Sequence, residues 1–101
     1  MSIKVKAKEK NGIVKVKAMA KHDMTTYNQA EKKTGDRENA NFITYMTATV
    51  NGETVWEAST SQFLSKNPIF KFQFKGKSGD TLEMSWIDRK GKTGKGKDEI
   101  K

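Results

Sequence analysis

Few side chains in this sequence could make or break bonds. His22 is the single histidine and cysteine is absent, which removes thiolate nucleophiles, thiolate zinc sites and disulfides together. A metal site built on His22 would have to draw its other ligands from Asp and Glu, and no acids cluster at ligand spacing. Ser59, Ser61 and Ser65 could pair with His22 in a hydrolase, but there is no Gly-x-Ser-x-Gly elbow. Asp80 and Asp88 lie beside turn glycines, where Asx-type hydrogen bonding explains them better than a shared acid-base pocket with split pKa values. Gly76, Gly79, Gly91, Gly94 and Gly96 have no strand-loop-helix arrangement around them that could cradle a phosphate, and they read as turn glycines. His22 reads as an ordinary loop residue. The expectation is a protein with no catalytic residue, no metal and no cofactor.

The elements around these residues follow from alternation. In Lys66 to Gly76, Phe70, Phe72 and Phe74 recur with period two while Lys71, Gln73 and Lys75 take the alternate positions, so an extended strand puts three aromatics on one face. Pro68 suits the start of that strand, with Asn67 biased toward an extended conformation. Ile3, Val5 and Ala7 alternate with lysines, Asn11-Gly12 is a hairpin signal, and Val14, Val16, Ala18 and Ala20 alternate again, predicting strands over 2–9 and 13–20. Residues 21–40 break the pattern and read as the longest loop, with no amphipathic helix. Alternation resumes at Phe42, with Met46, Ala48 and Val50 on one face and Ile43, Tyr45, Thr47 and Thr49 on the other. A second hairpin at Asn51-Gly52 leads to a short strand over Thr54 to Ala58. A polar loop, Ser59 to Lys66, carries Phe63 and Leu64. Leu82, Met84 and Trp86 mark another strand, and the Lys-Gly tail offers a weak edge strand near Asp98 to Ile100. The prediction is a single domain over 1–101, all-β, an immunoglobulin-like β-sandwich of about seven strands.

The net charge is +8 and the pI about 9.7. Residues 1–21 hold seven Lys against one acid, 66–77 hold four Lys, and 89–101 hold six Lys or Arg against two acids. The charge is thus spread along the chain and not massed in one helix or arm. Such a balance serves nucleic acid, an anionic surface, an acidic partner or plain solubility. Phe70, Phe72, Phe74 and Trp86 could stack bases, so a small basic nucleic-acid-binding domain is the alternative reading. A core role is favoured, because burying each Phe gains about 1.5–3 kcal/mol and a chain this short has little other apolar area. No apolar run reaches membrane-spanning length. The N-terminus has no apolar h-region, which by itself points to the cytoplasm.

Ile43, Tyr45, Val55, Ile69 and Ile87 fall out of phase with the core series, so they are predicted to face outward. Outward apolar groups on several strands mark either a protein interface, with Ile43, Tyr45, Ile69 and Ile87 as its candidate residues, or a strand buried on both faces or a register shifted by one.

These pieces together resemble the SoxZ family, the cysteine-free subunit of the SoxYZ sulfur-carrier complex of bacterial thiosulfate oxidation. The resemblance rests on Ile3-Lys4-Val5-Lys6-Ala7-Lys8, Val14-Lys15-Val16-Lys17-Ala18, His22 followed by Met24, and Lys33-Thr34-Gly35. It continues through Asn41-Phe42-Ile43, Asn51-Gly52, Ser65-Lys66-Asn67-Pro68, Phe74-Lys75-Gly76, Gly79-Asp80 and Trp86-Ile87-Asp88 with Gly91. Their order and spacing over nearly the whole chain are more specific than any one of them. The sequence departs from the family at Asp23, where proline is common, and in its Lys-Gly-rich tail. The resemblance implies an immunoglobulin-like domain that pairs with SoxY, the subunit carrying the sulfur adduct on a cysteine of a flexible C-terminal arm. It implies transient contact with Sox pathway enzymes and no role for nucleic acid or membrane. It also implies a periplasmic location reached by co-export with the signal-bearing partner, which replaces the cytoplasmic expectation.

Overall fold

Period-two alternation decides the architecture, and it holds in seven strands of the computed structural model, which describes residues 3–60 and 66–101. They are β1 (Ile3–Lys10), β2 (Ile13–Ala20), β3 (Ile43–Val50), β4 (Glu53–Ser59), β5 (Ile69–Lys75), β6 (Thr81–Asp88) and β7 (Thr93–Glu99). Both Asn-Gly pairs turn their hairpins with positive φ at each residue: 55° and 82° at Asn11 and Gly12, 51° and 81° at Asn51 and Gly52. That backbone matches strand twist and strongly favours Asn-Gly. The strands form two antiparallel sheets, ordered β1-β2-β5 and β4-β3-β6-β7. This is the expected all-β, immunoglobulin-like sandwich. Ser61, Phe63, Leu64 and Ser65 lie outside the described residues.

The core lies between the sheets, where Ile3, Val14 and Val16 meet Met46, Leu82 and Met84. Phe70, Phe72 and Phe74 do point inward, but only half-buried, at the margin where the edge strands β4 and β5 face each other. There Trp56 stacks on Phe72, ring centroids 4.4 Å apart and planes 2° from parallel. Such a contact adds about 0.5–1.5 kcal/mol beyond area burial.

Four local expectations need correction. Residues 21–40 are not one loop: α1 (Tyr27–Thr34) and a 3₁₀ turn (Arg37–Asn39) occupy much of them. The helix starts with a capping box, in which Gln29 N–H donates to Thr26 Oγ1 and Thr26 N–H donates to Gln29 Oε1, and ends at Gly35 with φ 79°. Only Ala30 of the helix is buried, so apolar periodicity had nothing to report.

Gly94 and Gly96 are strand residues of β7, not turn glycines, and the edge strand runs over Thr93–Glu99. A Cβ at Gly96 would sit 2.3 Å from the Ile3 carbonyl oxygen, and one at Gly94 would sit 2.3 Å from the Trp86 ring. Glycine there lets β1 lie close against β7 and the indole of Trp86 close over the strand.

Asn67 is left-handed, with φ 51°, and not extended. Its N–H donates to His22 O and its Oδ1 accepts from His22 N–H (2.8 and 3.0 Å), a reciprocal pair that offsets the conformational cost.

Ile43 and Val55 do not face outward. In the β3–β6 pairing Ile43 opposes Asp88 while Tyr45 opposes Ile87, which leaves Thr44 as an extra residue. In the β3–β4 pairing Ala48 opposes Trp56 and Thr49 opposes Thr54, which leaves Val55 unpaired. A bulge shifts the side-chain phase by one. Ile43 is therefore fully buried in the core, and Val55 packs against it.

Candidate partner interface

Among the described residues no helix packs on the outer face of either sheet. On the four-stranded sheet the outward phase of β3 and β6 brings Tyr45 opposite Ile87 and Thr47 opposite Ser85. Thr47 Oγ1 and Ser85 Oγ are 2.9 Å apart in a hydrogen bond. Tyr45 is 38% exposed and Ile87 40%. The Tyr45 hydroxyl donates to Glu57 Oε2 on β4, and that bond, with partial desolvation and the nearby carboxylate charge, raises the phenol above its ordinary value. Across the two central strands this face presents the Tyr45–Ile87 pair and the Thr47–Ser85 hydroxyl pair, flanked on the edge strands by Glu57 and Lys95. Ile69, 57% exposed, is at the start of β5 on the outer face of the other sheet. Of the four predicted interface residues, the structure brings Tyr45 and Ile87 together, puts Ile69 on a different face, and buries Ile43.

The outer face of β1-β2-β5 has the opposite character. Lys6, Lys17 and Lys71 form one cross-strand row, and Lys8, Lys15 and Gln73 form the next. The flanking rows are Lys4, Met19 and Ile69 on one side and Lys10, Ile13 and Lys75 on the other. The face therefore carries eight lysines and no acid, although they come from three separate strands. The chain has 20 basic and 12 acidic residues. With these eight set aside, the remaining twelve basic residues match the twelve acids, so the whole net charge of +8 sits on this face. Among the described residues none of the eight has a salt bridge. The charge that is scattered in the sequence is gathered by sheet order.

His22 is not an ordinary loop side chain. Its ring is 8% exposed and stands edge-on to Trp86, centroids 5.0 Å apart. Met24 N–H donates to His22 Nδ1 (2.9 Å), so the ring carries its proton on Nε2 and donates it to Asp88 Oδ2 (3.1 Å). Asn41 Nδ2 donates to the same oxygen (2.9 Å), while the Lys90 and Lys92 amides donate to Oδ1 (3.1 and 2.8 Å). The Asx-type bonding expected at Asp88 is present, and the buried contacts to His22 and Asn41 are added to it. Burial alone would raise the Asp88 carboxyl, but the bonds from His22, Asn41 and the Lys92 amide outweigh it and hold the group below its ordinary value. Next to it Arg89 donates to Tyr27 Oη and to the Glu38 and Ala40 carbonyls, tying the helical segment to the end of β6. The cluster fastens residues 22–41 to the sandwich. Among the described residues no group of three or more His, Asp or Glu could hold a metal ion.

Fold and surfaces together define a small β-sandwich with two chemically different outer sheet faces. The family model described as "Sulphur oxidation protein SoxZ" matches residues 3–99. The chain belongs to the SoxZ family, a subunit family of Sox thiosulfate oxidation. No curated protein matches it. Among solved structures it is similar to a superoxide reductase (neelaredoxin) variant from Archaeoglobus fulgidus in the reduced form, with a TM-score of 0.59 and 18% identity over 97% of this chain and 84% of that one. At that identity the likeness is one of fold alone. No described helix is long and apolar enough to cross a membrane.

Proposed function

We propose that this chain is the non-catalytic subunit of a sulfur-carrier heterodimer in periplasmic thiosulfate oxidation. It binds a SoxY-like subunit that bears the carrier cysteine, and helps present that subunit to Sox enzymes. It reaches the periplasm by co-export with its signal-bearing partner. Its own part is recognition: a chain without cysteine has no thiol on which to carry sulfur. One observation carries the choice of surface: the Tyr45–Ile87 pair, exposed side by side on the central strands β3 and β6 and next to the Thr47–Ser85 hydroxyl pair. An exposed apolar pair of this kind suits the centre of a partner interface, with Glu57, Glu83 and Lys95 around it as a polar rim.

The double variant Tyr45→Asp/Ile87→Asp tests the assignment. It is expected to keep its far-ultraviolet circular dichroism and lose the cysteine-bearing partner in co-purification. A folded double variant that binds the partner normally would remove this face from the interface.

A further inference from the structure

We propose that the lysine-bearing outer face of β1, β2 and β5 is a second docking surface, fitted to the acidic face of a protein that meets the heterodimer transiently. It is separate from the Tyr45–Ile87 surface, and the proposal rests on the heterodimer reading above.

Directly opposed residues on antiparallel strands have Cβ atoms about 4.5–5.5 Å apart, and like charges there destabilise the sheet. Lys6, Lys17 and Lys71 occupy one such row and Lys8 and Lys15 the next, with no intramolecular counter-charge among the described residues. Lysines on sheet edges discourage edge-to-edge pairing. That role does not extend to Lys15 and Lys17, because β2 is the central strand of this sheet. A repulsive lattice kept on a central strand is relieved when opposite charge covers it.

The occupant is a protein and not nucleic acid. The face holds no aromatic ring and no arginine, since Phe70, Phe72 and Phe74 all point to the interior. Single-strand binders need rings on which bases stack, and duplex readers need a helix or ribbon that enters a groove; a flat lysine sheet supplies neither. The encounter is transient because the central rows offer no apolar anchor: Met19, Ile69 and Ile13 lie only in the flanking rows. Charge complementarity of this kind raises association rates and is screened by salt.

The test uses the heterodimer of this chain with its cysteine-bearing subunit as the varied substrate of the thiosulfate-oxidising enzymes purified from the same cells. The variant is Lys17→Glu/Lys71→Glu. The expected result is a KM for the heterodimer raised about tenfold with kcat retained, and a wild-type KM that rises with sodium chloride while the variant's does not. The variant's melting temperature should be no lower than wild type, which separates docking from folding. An unchanged KM overturns the proposal. So does a folded variant that no longer forms the heterodimer, which would give the face to the permanent interface. Duplex DNA bound by the wild-type heterodimer at physiological salt, and lost in the variant while KM stays constant, overturns it in favour of nucleic acid. A wild-type chain that forms no heterodimer fails earlier, before any lysine is changed, and overturns the underlying reading as well.

Discussion

Asp88→Asn replaces a carboxylate with an amide of nearly the same shape and should be strongly destabilising. The two Asp88 oxygens accept four donors: the Lys90 and Lys92 amides on Oδ1, His22 Nε2–H and Asn41 Nδ2 on Oδ2. An asparagine has one acceptor oxygen and an NH2 group that only donates, so in either orientation its amide nitrogen faces two N–H donors. The conflict cannot be passed on. Switching the His22 tautomer would set Nδ1–H against the Met24 amide. Flipping Asn41 would withdraw the oxygen that accepts from the Lys90 amide. Hydrogen bonds to a charged partner contribute about 1.5–3 kcal/mol each, so two lost bonds cost on the order of 3 kcal/mol after partial relaxation. For a domain near 100 residues, with a melting shift of about 4–8 °C per kcal/mol, that is a fall of roughly 12–24 °C. Because the folded pKa of Asp88 is depressed, its stabilisation is present above the unfolded carboxylate value of about 3.9 and is lost as pH falls through the folded value. Urea unfolding of the two proteins should therefore show a large gap near neutral pH that narrows as pH falls through the folded value of Asp88. An asparagine variant as stable as wild type near neutrality, or a gap that persists undiminished in acid, would refute the reasoning.

Lys17→Glu alone should stabilise the domain, because it replaces two repulsive cross-strand pairs, to Lys6 and Lys71, with attractive ones. At an exposed site this is worth about 0.5–1 kcal/mol, an increment that should vanish at about 1 M salt, and thermal melts at two salt concentrations check both. Gly96→Ala should cost about 1–3 kcal/mol in chemical denaturation, since its methyl group meets the Ile3 backbone and cannot be accommodated by a rotamer change. Ile43→Asp should not fold, because it places an unpaired charge in the core, while Ile87→Asp should fold; circular dichroism of the two distinguishes a buried from an outward residue.

Strands and hairpins were legible in the sequence because alternation and Asn-Gly turns are local signals. The helix at Tyr27–Thr34 was hidden by its polarity, although the Thr26-x-x-Gln29 capping pattern in front of it could have marked its start. Ile43 was misplaced because a bulge at Thr44 inverts its phase relative to the rest of β3, and no residue type announces that bulge. The glycines of β7 looked like turn residues because the close approach of β1 and of Trp86 is a property of the packed sandwich. His22 and Asp88 are 66 positions apart, so their contact has no local trace. The lysines were visible one by one, but their convergence required the order β1-β2-β5. Tyr45 and Ile87 were found by phase, and strand pairing made them neighbours.

Native mass spectrometry of the tagged chain, recovered gently from the periplasm of its own cells, tests the central claim most directly. The account predicts a one-to-one complex with a protein ending in a glycine-flanked cysteine, with mass shifts that correspond to sulfur-containing adducts on the partner and none on this chain. Recovery only from the cytoplasm, with nucleic-acid absorbance that salt removes, would contradict it.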